Sequence, residues 1–306
     1  MRPHLFFCRA GNSIFSAGFG RNLINSNMEQ SDINRSLNMQ NIRHPAVAGT
    51  FYPADQRQLA ASIRGFLDAA GADAGLVFPK AIIVPHAGYI YSGQTAAEAY
   101  SRLAAGRNTI RRVVLLGPTH RLAVRGLALP EADSFETPLG RVALDKAAMA
   151  LLRALPQVVV SAEAHAHEHS LEVQLPFLQT VLEDFSLVPL LVGDADAGEV
   201  AEVLDTLWGN EETVIVVSSD LSHYLSYSLA QEIDQLTVQK ILAMKDSLTH
   251  QQACGGTPIN GLVRAARKHR LHPSLLAMCN SGDSVGDKQR VVGYAAFIFS
   301  AEAGDA

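Results

Sequence analysis

From Arg43 onward, short apolar runs rich in Val, Ile and Leu, each closed by a Gly/Pro/His loop, alternate with stretches of helical periodicity. This alternation is the tightest constraint on the fold. A parallel strand pair needs a crossover of a dozen residues or more, and a helix is the usual way to build one. The chain therefore reads as α/β, with a mainly parallel or mixed central sheet and helices on both faces. The predicted strands are 80–85, 112–117, 126–129, 187–192, 213–218 and 291–299. The predicted helices are 56–70, with Asp55 as its cap, then 94–104, 145–154, 169–182, 197–207, 230–244 and 259–268. No repeat or composition break interrupts 42–302, which reads as one domain. Residues 1–41 differ, with seven Asn, four Arg and no Lys. Lacking a periodic apolar face, they read as a disordered or over-extended N-terminus.

Of the 306 residues, 48% are apolar and 18% charged, enough to hide about three quarters of the unfolded surface. The 25 Lys plus Arg against 30 Asp plus Glu give a net charge of −5, opposite in sign to the footprint that nucleic acid requires. No apolar run approaches the roughly 18 to 20 residues of a membrane span. The partners expected on charge and hydropathy are thus neither nucleic acid nor membrane. Cys8, Cys254 and Cys279 are too few for a disulfide framework and fit a reducing, cytoplasmic setting.

In sheets of this kind ligands bind beyond the carboxyl ends of the strands. Four segments carry chemistry there: Ile83–Tyr89 with His86, Leu116–His120, Val217–His223, and Ala253–Pro258 with Cys254. Three of them directly follow predicted strands, so His86, His120 and Cys254 form a candidate metal set. Two imidazoles and a thiolate select Cu, Zn or Fe over Mg or Ca. A loop hydrogen bond is the plainer role for any single histidine, but the convergence of three groups, each beside Pro or Gly, favours a metal. Asp220 and His223, three apart, suit acid/base work in which the carboxylate orients the imidazole; helix capping by Asp220 is the alternative.

The run from His165 to Glu172 is rich in donors. His165 and His167 are expected in solvent, whereas Glu168, His169 and Glu172 are candidates to line the site. Gly88–Gly93 has the wrong spacing for a dinucleotide and reads as a turn into the following helix, with Tyr89, Tyr91 and Ser92 lining the cavity or packing beside it. Cys279 reads as structural. A GxGxxG after a strand, a P-loop, a CxxC pair and HExxH are all absent.

Taken together, Arg43–Pro53, Pro85–Gly93, Gly117–His120, Glu168–Pro176 and Ser218–His223 resemble the Memo family, which includes the bacterial B component of the Ammecr-Memo-radical-SAM system. The resemblance runs from Arg43 to Ser300. It implies a fold similar to class III extradiol dioxygenases and a metal pocket at His86, His120 and Cys254, with Asp220 and His223 nearby. It also implies Fe(II) or Cu as cofactor, Zn ranking behind, and redox or dioxygenase-like activity. Ammecr-like and radical-SAM proteins, or a peptide ligand, are the partners it implies. A thiolate standing where those enzymes place a carboxylate would give the metal more charge and is itself oxidisable. Two other readings stand beside this one: a non-enzymatic peptide- or partner-binding module with a vestigial metal pocket, and metal-assisted hydrolysis.

Overall fold

The computed structural model describes residues 41–71, 78–284 and 287–301. The expectation for residues 1–41 lies, except for Asn41, outside the described residues. In chain order the elements begin with β1 (Ile42–Arg43), α1 (Gln56–Ala70), β2 (Ala81–Val84), α2 (Tyr89–Leu103), β3 (Arg112–Pro118), β4 (Leu127–Leu129), β5 (Ser134–Thr137) and β6 (Gly140–Ala143). Then come α3 (Lys146–Leu152), β7 (Val158–Val160), α4 (Ala162–Ala166), a 3-10 turn at Glu172–Gln174, α5 (Leu175–Val181), β8 (Ser186–Val192), α6 (Ala197–Thr206) and β9 (Thr213–Ser218). β10 (His223–Leu225), α7 (Tyr227–Leu242), α8 (Gly256–Lys268), β11 (Leu271–Asn280), α9 (Ser281–Ser284) and β12 (Val291–Ala301) complete the series.

Among the described residues the central sheet has nine strands, in the order β10-β12-β2-β9-β3-β8-β4-β7, with β11 paired to β12. Its middle, β2-β9-β3-β8, is parallel, and β12 and β4 add antiparallel neighbours on either side. Nearly every residue of these four strands is buried, as expected where alternate side chains meet helices on both faces. Chain direction explains the two layers. The step from β2 through α2 to β3 runs one way along the sheet, and the step from β8 through α6 to β9 runs the other. Right-handed crossovers in opposite senses put their helices on opposite faces. Accordingly α1, α2 and α5 pack together, and α6 packs on α8. A separate small sheet, β1-β5-β6, packs against β8 through β6. No helix among the described residues is long and apolar enough to cross a membrane.

Each predicted strand and helix has a counterpart, and the departures have physical causes. Asp55 caps α1 by accepting from the Gln58 amide at 2.9 Å. The expected turn at Gly88–Gly93 is instead the first turn of α2. There Gly93 serves a helix crossing, since a Cβ on it would lie 2.6 Å from the Phe66 ring. The helix expected from His169 starts at Leu175, with Pro176 in its first turn, the position that proline tolerates. β11 carries Pro273 and a register shift at Leu275/Ala277, features of an edge strand that erase a clean alternation.

Because Gly93 faces an aromatic ring rather than open space, Gly93→Ala is expected to overpack the α1–α2 crossing and cost about 1–3 kcal/mol in urea denaturation. A stability equal to wild type would show that the two helices do not meet there.

Candidate metal centre

Adjacent parallel strands β2, β9 and β3 end at Val84, Ser218 and Pro118, and this places His86, Asp220 and His120 side by side at one edge of the sheet. His169 joins them from the loop between α4 and the 3-10 turn. Donor atoms of His86, His120 and His169 all lie within 4.8 Å of one another, with ring centroids 5.2, 5.4 and 4.8 Å apart. Cys254 approaches from the start of α8. Its Sγ is 3.3 Å from His86 Nε2, and its amide donates to the Asp220 carbonyl at 3.3 Å. Cys254 thus stands against His86, and His169 is the third member of the mutually close set.

This cluster forms the floor of an open cavity of about 1390 Å³, whose walls include Phe51, Arg121, Val192, His223, Tyr224 and Ile233. His86 is 1% exposed. Burial, then the neighbouring His120 and His169 rings, holds its pKa well below the ordinary histidine value, so it is neutral and able to ligate. Burial and the nearby Asp220 carboxylate push the Cys254 thiol up to about 12. Cys254 therefore carries its proton in the metal-free protein and must release it to ligate. Burial also raises the Asp220 carboxyl, against the His86 amide that donates to Oδ1 at 2.7 Å.

A second layer of contacts fixes the histidines. Glu168 Oε2 accepts from the His120 amide at 2.5 Å, and Oε1 accepts from His120 Nδ1 at 2.9 Å. A carboxylate can only accept here, so His120 carries its proton on Nδ1 and leaves Nε2 as the ligating atom. Glu168 Oε1 also accepts from the amides of His169 and Ser170. Burial pushes the Glu168 carboxyl up, but His120 and His169 beside it outweigh that and hold it well below the usual carboxylate range. His169 Nδ1 is buried 3.2 Å from Glu168 Oε1, at an angle too poor for a full hydrogen bond. The imidazoles of His86, His120 and His169 and the neighbouring Cys254 sulfur form a donor set that suits Zn, Cu, Fe or Ni.

Several sequence expectations need correction. Glu172 does not line the cavity. Fully buried, it pairs with Arg43 and accepts from the amides of Ala46 and Val47 and, at 2.6 Å, from the Tyr52 hydroxyl. Tyr89 is buried against Phe66 and Phe177 and donates to the Val173 carbonyl, while Ser92 donates to the Ala87 carbonyl just before α2. Tyr89 and Tyr91 border a separate cavity of about 320 Å³. His165, expected in solvent, is buried, with Nε2 bonded to the Ala128 carbonyl and its ring edge-on to Phe135; His167 is exposed. His223 does face the cavity, but its Nδ1 donates to the Leu221 carbonyl at 2.9 Å, so a backbone group rather than Asp220 orients it. Arg43, Tyr52 and Ser218 are the supporting residues that sequence reasoning missed. The dense Arg43–Pro53 motif is the one signal for the first two, and Ser218–His223 for the third.

Comparison with known proteins follows the same span. A sequence model of the family described as Memo-like protein matches residues 43–298. The MEMO1 family protein of Aquifex aeolicus is 35% identical over 273 residues, covering 84% of this chain and 99% of its own. That of Aeropyrum pernix is 39% identical over 280 residues, covering 83% and 98%. Among solved structures, the uncharacterized protein JW3007 of Escherichia coli K12 aligns with a TM-score of 0.50 at 16% identity, over 72% of this chain and 100% of its own. That likeness is one of fold.

Removing Arg43 as Arg43→Met strands a buried carboxylate and is expected to cost about 3–5 kcal/mol in urea denaturation; a loss below about 1 kcal/mol would contradict the Arg43–Glu172 anchor. Burial, then the nearby Arg43 charge, lowers the His165 pKa to about 4, against its hydrogen bond to Ala128. Since the folded state holds the proton less tightly than the unfolded chain, His165 contributes stability above pH 6.5 that is lost as pH falls toward 4. The loss amounts to about 3 kcal/mol at one pKa unit per 1.36 kcal/mol. Comparing unfolding of wild type and His165→Asn across this window is expected to show the steeper decline in wild type, and parallel curves would refute it.

Proposed function

The chain belongs to the Memo-like family, and from that premise we propose that it is a metal-dependent protein whose His86, His120 and His169 hold an Fe or Cu ion, with Cys254 as the adjoining fourth donor. The observation that carries this reading is the convergence of three imidazole nitrogens within 4.8 Å at the floor of an open cavity. Such an ion would supply Lewis acidity and one-electron chemistry when bound. The protein's own part is positional. Glu168 holds the His120 ring, and Asp220 holds the His86 backbone. The Leu221 carbonyl fixes His223 with Nδ1–H, which leaves its Nε2 as the nitrogen available to take a proton from a substrate in the cavity. Phe51, Val192 and Ile233 give that substrate an apolar wall.

A second reading draws on size. At about 1390 Å³ the cavity exceeds the roughly 300–1,000 Å³ of common small-molecule sites, which favours a ligand as large as a peptide segment. Binding of such a segment that survives full chelation would select this reading.

Elemental analysis after anaerobic purification tests the first reading. Wild type is expected to carry Fe or Cu, His86→Ala, His120→Ala and His169→Ala to lose it, and Cys254→Ser to hold it at least tenfold more weakly in chelator competition. Stoichiometry unchanged in all three histidine variants would refute the site.

A further inference from the structure

We propose that Ser218 is the positioning residue that fixes the tautomer of His86, keeping the proton on Nδ1 and turning the Nε2 lone pair toward the cavity. Proton counting around one buried hydroxyl supports this. Gln174 Nε2 lies 2.9 Å from the Pro85 carbonyl and 2.8 Å from Ser218 Oγ. A carbonyl can only accept, so the amide nitrogen faces both, and Ser218 Oγ accepts from it. The other end of that amide, Oε1, accepts from the Tyr100 hydroxyl at 2.9 Å, which confirms its orientation. Ser218 has one proton, and it points to the Ser170 carbonyl at 2.6 Å. With one lone pair taken by Gln174 and its proton given to Ser170, the hydroxyl has a single capacity left, that of accepting. Its remaining partner is His86 Nδ1 at 2.9 Å, which must therefore be the protonated nitrogen.

The reverse arrangement fails on the same count. If Ser218 donated to His86, two bare oxygens would face each other at 2.6 Å in a fully buried spot, leaving the Ser170 carbonyl unsatisfied. On the far side of the ring, Cys254 Sγ lies 3.3 Å from Nε2 and 3.6 Å from the Asp220 carbonyl; its one proton can serve either, so the tautomer is decided on the Ser218 side. His86 and His120 are thus oriented by different chemistry: a carboxylate sets His120, and a neutral hydroxyl with its other valences committed sets His86.

The consequence for metal binding rests on the reading given under Proposed function, while the tautomer itself does not. In metal-free protein with ¹⁵N-labelled histidine, long-range ¹H–¹⁵N correlation is expected to show His86 with Nδ1 protonated and Nε2 bare. Ser218→Ala is expected to move the proton to Nε2 in part or in full, and Ser218→Thr to restore the wild-type pattern. With Co²⁺ alone as probe, chelator competition is expected to show about 10- to 100-fold weaker binding in Ser218→Ala and near wild-type binding in Ser218→Thr. Wild-type His86 protonated on Nε2 overturns the proposal, even should Ser218→Ala fail to fold; so does a folded Ser218→Ala with its tautomer unchanged. A wild type that binds no Co²⁺ overturns the metal reading instead, and the metal-free tautomer measurement then decides the proposal alone.

Discussion

The buried pairing of Arg43 with Glu172 is the constraint on which the site's geometry depends. Both side chains are almost wholly out of water, where an uncompensated charge costs several kcal/mol. Their remaining valences are filled by the backbone: Arg43 donates to the carbonyls of His165 and Glu168, and Glu172 accepts from the amides of Ala46 and Val47. One guanidinium thereby holds three points of the segment 165–172. His169 lies between the last two of those points and has little freedom of its own. The small sheet in which β1 sits supplies the fixed base for Arg43.

That segment is also bound to the ends of the central strands. Ser170 donates to the Pro118 carbonyl at the end of β3 and accepts from Ser218 at the end of β9, while Gln174 donates to the Pro85 carbonyl past β2. Close approach at β3 requires Gly117, because a Cβ there would meet Ser170 and Leu171 at 2.9 Å. Two carboxylates four residues apart divide the work: Glu172 anchors the loop to the domain, and Glu168 turns the loop's hydrogen bonds onto His120. Preorganisation of this kind lets donor atoms meet a ligand without paying to order them at the moment of binding.

His86, His120, Asp220 and His223 were legible in the sequence because each follows a strand, and strand order alone delivers them to one edge. Tertiary contacts decide the rest. The place of His169 in the histidine cluster is obscured by a helical pattern that in fact starts after it, at Leu175. Glu172 and Tyr89 were polar residues in a suggestive motif, yet their partners, Arg43 and the Val173 carbonyl, lie 129 and 84 positions away. Nothing local signals the Ala128 carbonyl that satisfies His165, so the sequence alone reads that residue as exposed. The strands β5, β6, β7 and β10, at three or four residues, are too short for periodicity to reveal.

The central claim, that His86, His120 and His169 act as one donor set, is tested most directly by X-ray absorption on the Co²⁺-loaded protein. The account predicts a three-imidazole shell at about 2.0–2.1 Å, falling to two imidazoles in His169→Ala. A spectrum without imidazole scattering, or one that His169→Ala leaves unchanged, would contradict it.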